Sequence, residues 1–517
     1  MLQGAFLADG PGAAVIVTHR GKVIYQGVQG LADVSNKQPI RVDAAFPMGS
    51  IAKQFTAAAI LKLVEQRRIS LDDPLSRFFR DWPEPGAKAT VRQLLNHISG
   101  VQDYTKIPGW IAANRTTTHT TAQLVALTRN LPAKAAPGEK WEYNNGGYVL
   151  LGAILEQVSG KPWYQAIQDS VLAPLQLRSI RPLPSNSSEL AVVGYREENG
   201  RQVVVPWAHP SIAHAAGGLA GSVLDLAKFA NALHHGKGVS PALYEEMTSP
   251  ARLANGTTEP YGFGLRLLKL KGRPALVHGG AGAGLDTDSI YIPSENLFVA
   301  VFANSSDPAT DPSLLSRRLA ALALGDPFPT LVSVAADLKA LEPLFGTYAL
   351  QQGPARTFLP RNGKLFMGRG EDQREVFAAG GNRFFFGPRD LSWFTITPAA
   401  DGHHQMEVHA ADLATPAKAI WAGPVPRPVT VDAATLRSYV GTYQTETVRI
   451  VVLLSANGSL TAGQEGRETG ELRAVSPTEF RLEGTPMRLV FHPEGAKTDR
   501  LTVHRGAREL HGTRVSK

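Results

Sequence analysis

Gly346-Thr347-Tyr348 returns as Gly441-Thr442-Tyr443, 95 residues further along the chain. The same interval relates Asn362-Gly363 to Asn457-Gly458, Leu365 to Leu460, Gly368 to Gly463, Phe385 to Phe480, Pro398 to Pro493 and Val408-His409 to Val503-His504. A phase held from end to end means two copies of one structural unit. Each copy is built of short alternating runs separated by turn residues, and Asn-Gly between such runs is a strong hairpin signal. Two small antiparallel β-barrels are therefore expected. Pro424-Val425-Pro426-Arg427-Pro428 would be a stiff joint between them, and Gly325-Asp326-Pro327-Phe328-Pro329 a linker ahead of both.

The chain has 517 residues, and roughly 150 residues per domain suggests about three domains. The boundaries expected are 1–328 for an N-terminal domain, 333–424 for the first barrel and 429–517 for the second. Hydrophobic residues make up 43% and charged residues 19%, too apolar for disorder. The formal charge is +8, yet Lys and Arg are scattered and form no arm or stripe, which argues against a nucleic-acid partner. With no cysteine, disulfides, thiolate metal sites and a cysteine nucleophile are excluded. No apolar run approaches the roughly 20 residues that span a bilayer. Met1-Leu2-Gln3-Gly4 has no basic start leading into a signal core. The expected location is cytoplasmic for the chain as written, and periplasmic if an export signal is missing from it.

Before the barrels, Ala13 to Val17 and Val23 to Gly27 read as a hairpin across His19-Arg20-Gly21-Lys22. A helix opens at Ser50 with an apolar stripe of Ile51, Phe55, Ala59, Leu63 and Val64, and Arg67-Arg68 are expected in its last turn. A largely helical region begins with Val91 to Asn96. It includes Gly147 to Ser159, closed by Gly160 and Pro162, then about Ser222 to His234 and Pro241 to Met247. Strands return at Ala275 to His278, Asp286 to Ile292 and Leu297 to Phe302, and a last helix covers about Pro312 to Leu324. Strands from both ends with helices between them predict an α+β domain with an antiparallel sheet flanked by helices.

Ser50 and Lys53 stand three apart at the opening of that first helix, so they share a face one turn apart. A serine there sits in the positive field of a helix N-terminus, which favours an alkoxide or a neighbouring oxyanion. The chain has one Ser-x-x-Lys and one Tyr-x-Asn, the latter being Tyr143-Asn144-Asn145 in a loop expected just before a helix. His278-Gly279-Gly280-Ala281-Gly282 falls at the end of a predicted strand, where glycines would let a substrate backbone approach.

In this order the three motifs resemble the serine β-lactamase and penicillin-binding-protein superfamily, in particular its class C-like branch of esterases and D-aminopeptidases. The resemblance covers about 11–325 and includes Phe46-Pro47-Met48-Gly49-Ser50, Val91 to Gly100, Tyr261-Gly262-Phe263-Gly264-Leu265 and Tyr291-Ile292-Pro293. The trailing repeats narrow it to three-domain D-aminopeptidases, whose catalytic domain is followed by two lipocalin-like β-barrels. It implies that Ser50 attacks the substrate carbonyl while Lys53 and Tyr143 move its proton, since a free serine hydroxyl is a poor nucleophile near neutral pH. Asn145 would bind the substrate or hold Lys53, and the N–H groups of Ser50 and Ala281 would form an oxyanion hole. Many relatives carry Lys-Thr-Gly where this chain has His278-Gly279-Gly280. A mostly neutral imidazole is a weaker carboxylate anchor, which favours substrates lacking a carboxylate there. In the family a loop of the last barrel recognises the substrate amine; the matching stretch is Gly463 to Glu471, in which Glu465 or Glu468 would pair with an ammonium group. The alternative is a solvated hairpin tip, since the first repeat has a similarly charged loop at Gly368 to Glu375.

The expected function is a serine hydrolase working through an acyl-enzyme, an aminopeptidase or amidase on small D-amino-acid peptides or amides. A carboxylesterase with the same site and a non-catalytic protein that binds or senses peptidoglycan fragments remain open. No cofactor and no metal are expected. His234-His235 and His403-His404 lack the i, i+4 spacing of a helical metal site and read as solvated, and the glycines of 279–284 follow no phosphate-cradling βαβ pattern. The partner expected is a small-molecule or short-peptide substrate; a homodimer is left open.

Overall fold

The computed structural model describes residues 1–517 apart from 308–310, 351–353, 370–371, 400–402, 425–428, 456–457, 468, 483–486, 495–496, 506–507 and 517. Two compact units emerge, Met1–Pro329 with Ala411–Thr415, and Thr330–Ala410 with Pro416–Lys517. Of the expected features, Asn457, the joint at 425–428 and Glu468 lie outside the described residues.

The first unit is built on an antiparallel sheet of β1 (Ala13–His19), β2 (Lys22–Gln29), β3 (Arg266–Leu270), β4 (Arg273–Gly282), β5 (Leu285–Ile292) and β6 (Leu297–Ala303). Their order is β3-β4-β5-β6-β1-β2, so the two ends of the unit meet where β1 pairs with β6, from Ala13 opposite Ala303 to His19 opposite Leu297. The β1–β2 turn places Arg20 and Gly21 at φ 52° and 75°, the two left-handed residues of a tight hairpin. Alternation along β1 and β6 feeds two cores. Ala14, Ile16, Phe298, Ala300 and Phe302 join the larger core with the central helices, whereas Val15, Val17, Val299 and Val301 face Leu315 and Leu319 of a helix over Pro312–Ala323 on the other side.

The helix that follows Ser50, α1 (Ala52–Glu65), differs from expectation in two ways. It is enclosed nearly all round, with Lys53, Gln54 and Thr56 buried as well as Phe55, Ala59 and Leu63, so no polar face balances its apolar stripe. It also ends before Arg67, whose φ of 55° lies in the left-handed region, so Arg67 and Arg68 fall beyond its last turn. The next helix at the site, α2, spans Asn145–Ser159 and stops at Gly160, whose φ of 75° makes a left-handed C-cap. It starts two residues earlier than its apolar pattern, because the Asn144 side chain accepts the N–H of Gly147 as N-cap, and Asn145 becomes its first residue.

In the second unit, eight strands from Gly346–Leu350 to Ala417–Gly423 close one antiparallel barrel, and eight from Gly441–Gln444 to Arg508–Ser516 close another. Each has its own core. The repeated residues occupy matching places: Tyr348 and Tyr443 lie on first strands, Leu365 and Leu460 on third strands, Phe385 and Phe480 on fifth strands. Tyr348 donates to the carbonyl of Leu344 at 2.7 Å and Tyr443 to that of Tyr439 at 2.9 Å, a corner that fixes the chain's entry into each barrel. Tyr348→Phe keeps the packing but strips the buried Leu344 carbonyl of this donor. It is expected to cost about 1–3 kcal/mol in denaturant unfolding.

Candidate active site

Met48 precedes a single 3-10 turn, Gly49–Ile51, that holds Ser50 and runs directly into α1. Gly49 takes φ 52°, and a side chain there would place a carbon 2.9 Å from the backbone nitrogen of Ala281 on β4. The turn and the strand therefore lie against each other. Gly280 is the other half of that contact: a Cβ on it would fall 2.0 Å from the carbonyl oxygen of Met48. Thr287 on β5 ties the pair together, its hydroxyl lying 3.1 Å from the carbonyl oxygens of both Met48 and Gly280. At Gly280 the neighbour that would meet a side chain is the protein's own serine turn.

One turn into α1, Lys53 is wholly enclosed, and its Nζ lies 3.1 Å from Ser50 Oγ, 2.9 Å from Asn145 Oδ1 and 2.8 Å from the carbonyl oxygen of Ala216. Burial, only partly opposed by the charge of Asp103, lowers its pKa to about 7. Near neutral pH a large share of this amine is uncharged. Tyr143 presents its ring 4.8 Å from the same nitrogen. Burial raises its phenol to about 12, against a hydrogen bond with Ser50 that acts the other way, so Tyr143 is neutral at pH 7.

Asn145 opens α2 instead of preceding it. Its Oδ1 accepts from Lys53, its Nδ2 donates to Thr105 Oγ1 at 3.0 Å, and its backbone N–H donates to Asp103 Oδ2 at 2.8 Å. His278 lies within β4 rather than at its end, since the strand continues to Gly282. The ring is 2% exposed. Its Nδ1 is 2.7 Å from the Gly279 carbonyl oxygen, which can only accept, so Nε2 is the acceptor for the Tyr261 hydroxyl at 2.9 Å. Burial, and after it the charge of Lys53, lowers His278 to about 3, so it is neutral across the physiological range. Glu465 follows the strand Leu460–Gln464 in the second barrel and pairs with Arg449 at 3.4 Å.

Several neighbours carry no sequence motif of their own. Asp103 is buried and joins the site only because the chain returns beneath Asn145. His97, at φ 65°, packs its ring 4.5 Å from Tyr143 and 4.6 Å from Tyr261, and burial holds it well below an ordinary histidine. A non-glycine residue in the left-handed region is the kind of signal that only coordinates reveal. Arg266 on β3 sets a guanidinium carbon 5.6 Å from the Tyr143 ring. One member of each histidine pair differs from expectation, while His235 and His403 are exposed. His234 is not solvated but stacked on Tyr291, with Nδ1 2.7 Å from the Tyr244 hydroxyl, and His404 is buried with Nδ1 accepting from the N–H of Ala399. No group of potential metal ligands forms among the described residues, and no helix among them is long and apolar enough to cross a membrane.

A helix-flanked antiparallel sheet that holds a depressed-pKa lysine against a serine hydroxyl is the framework of a serine hydrolase. The chain belongs to the beta-lactamase family, whose model matches residues 5–324. A penicillin-binding protein of Bacillus subtilis (strain 168) is 27% identical over 397 residues, covering 72% of this chain and 87% of that protein. A D-aminopeptidase of Brucella anthropi is 27% identical over 333 residues, 63% of this chain and 62% of the relative, so the match spans less than two thirds of that enzyme. Among solved structures, the D-amino acid amidase of Ochrobactrum anthropi SV3 complexed with D-phenylalanine is 26% identical. It superposes with a TM-score of 0.54 over 63% of this chain and 98% of its own.

The Gly280 contact makes a direct test. Gly280→Ala is expected to part β4 from the serine turn, lowering stability by about 1–3 kcal/mol through overpacking. Displacing the Ala281 N–H, to which the family resemblance assigns a place in an oxyanion hole, should lower turnover by about 10²–10³. Unfolding in urea and hydrolysis of a chromogenic ester read the two effects separately.

Proposed function

We propose that this hydrolase cleaves amides or short peptides of small D-amino acids through an acyl-enzyme on Ser50. The observation that carries the mechanism is the set of three partners around Lys53 Nζ. A neutral amine has two N–H bonds and one lone pair. The Ala216 carbonyl and Asn145 Oδ1 can only accept, so they occupy both N–H bonds and leave the lone pair for the Ser50 hydroxyl. Ser50 Oγ then attacks the substrate carbonyl as its proton passes to Lys53, forming the C–O bond of a tetrahedral intermediate. The negative oxygen is stabilised by the N–H groups of Ser50 and Ala281, a role supported by the close packing of the Gly49–Ile51 turn against the strand at Gly280 and Ala281. Tyr143, hydrogen-bonded to Ser50, relays the proton to the leaving nitrogen as the C–N bond breaks. Water cleaves the resulting ester by the reverse path.

The D-configured substrate class rests on similarity to a protein named D-aminopeptidase and to one named D-amino acid amidase. A neutral, internally bonded His278 agrees with substrates that carry no carboxylate at that strand. The test is hydrolysis of D-alanine p-nitroanilide, its L-enantiomer and p-nitrophenyl acetate by the wild type and by Ser50→Ala. Turnover of the D-anilide that vanishes in the variant is expected. Ser50-dependent cleavage of the ester alone would move the assignment to a carboxylesterase, and absence of both burst and turnover would leave a binding protein.

Activity should also depend on pH with a defined sign. The active form has Lys53 neutral, and its pKa is lowered to about 7. Hence kcat/KM is expected to rise with pH through a single limb near 7 and then level off, with Tyr143 still protonated well above that point. Lys53→Ala is expected to lower kcat/KM by about 10³ or more across the range.

A further inference from the structure

The useful arrangement around Lys53 depends on which end of the Asn145 amide faces it. Oxygen toward Nζ takes an N–H and leaves the lone pair to Ser50; the flipped amide would offer an N–H to that lone pair and compete with the Ser50 hydroxyl. Something must fix the choice. Asn145 Nδ2 meets Thr105 Oγ1 at 3.0 Å. A hydroxyl can donate or accept, so Thr105 alone would tolerate either orientation. Its own proton is committed, however, because Thr105 Oγ1 lies 2.7 Å from Asp103 Oδ1, and an ionised carboxylate only accepts. Asp103 is itself held, accepting the backbone N–H of Thr105 on Oδ1 at 3.0 Å and that of Asn145 on Oδ2 at 2.8 Å. It is 2% exposed, sealed beneath the site.

We infer that Asp103 and Thr105 form a polarity relay: the carboxylate fixes the direction of the Thr105 hydroxyl, Thr105 fixes the face of the Asn145 amide, and Asn145 aims the Lys53 lone pair at Ser50. Asp103 and Thr105 are positioning residues and touch no reacting atom. The inference rests on the reading of Lys53 as the base. Its environment contains other ionisable groups: the rings of Tyr143 and Tyr148 lie 4.8 and 5.3 Å from Nζ, and His97 and His278 are kept neutral mainly by burial. Asp103 is the charge that opposes the burial of the ammonium form.

The experiment compares wild type, Thr105→Val, Thr105→Ser and Asp103→Asn, each first checked for a wild-type circular-dichroism spectrum and cooperative melting. Thr105→Val removes the acceptor for Asn145 Nδ2, and Asp103→Asn removes both the fixed acceptor and a negative charge near Lys53. Either change leaves the Lys53 ammonium less favoured. The acid limb of kcat/KM should therefore move to lower pH by about one unit. In both variants kcat should fall at least tenfold with KM changed no more than about twofold, because the relay acts on the transition state and not on substrate contacts. Thr105→Ser keeps the hydroxyl and should retain the limb and most of kcat. Where turnover is too slow to follow, titration of the Lys53 ¹³Cε resonance gives the same shift directly. A wild-type limb near 7 that stays in place in folded Thr105→Val and Asp103→Asn overturns the relay while leaving Lys53 as base. A wild type with no such limb and no Lys53 titration near 7 removes both.

Discussion

An ammonium group loses several kcal/mol of hydration when it is taken out of water, and Lys53 is fully enclosed. Its helix is buried nearly all round, and the backbone beside it is packed so closely that a side chain on Gly264 would come within 2.9 Å of the Lys53 carbonyl carbon and oxygen. Burial of this kind stabilises the neutral amine, and the acceptors Ala216 O and Asn145 Oδ1 give its hydrogens a destination in either protonation state. Much of the surrounding architecture follows from that enclosure. The carbonyl of Ala215 accepts from Thr56 one turn along α1, adjacent to the one that accepts from Lys53, so the same short segment anchors both Lys53 and its helix.

The sheet contributes placement more than chemistry. Its strand β4 crosses the serine turn at a distance that excludes a side chain at Gly280, and Thr287 bridges the two. The turn that carries Ser50 and the strand that carries Ala281 thus belong to different layers of the unit, helix on one side and strand on the other. Under the proposed mechanism, the close contact between those layers sets the spacing of the Ser50 and Ala281 N–H groups, preorganisation of the kind that makes backbone donors effective. Under the same proposal, the polar line from Asp103 through Thr105 to Asn145 acts on Lys53 by orientation instead of distance.

The two barrels show how a repeat carries structure. Residues in phase along the sequence fall on matching strands, and the paired tyrosines make the same i to i−4 bond at the mouth of each barrel. Each barrel closes on its own apolar interior. Closure leaves no unpaired sheet edge, the device by which small antiparallel β units avoid association through exposed backbone groups.

Periodicity and local motif determined much of this protein. The α+β unit, the two barrels and the main helices follow from spacing, capping residues and turn pairs, because secondary structure is set by interactions within a few residues. The juxtaposition of Ser50 and Lys53 is local for the same reason, being one turn of helix. Tertiary structure alone decided what surrounds them. The full burial that depresses Lys53, the return of Asp103 and Thr105 beneath Asn145, the neutral doubly bonded His278 and the glycine contact at Met48 all join segments far apart in the chain. Hydration, hydrogen-bond direction and close packing depend on where every atom lies, and no residue pattern read along one dimension contains them.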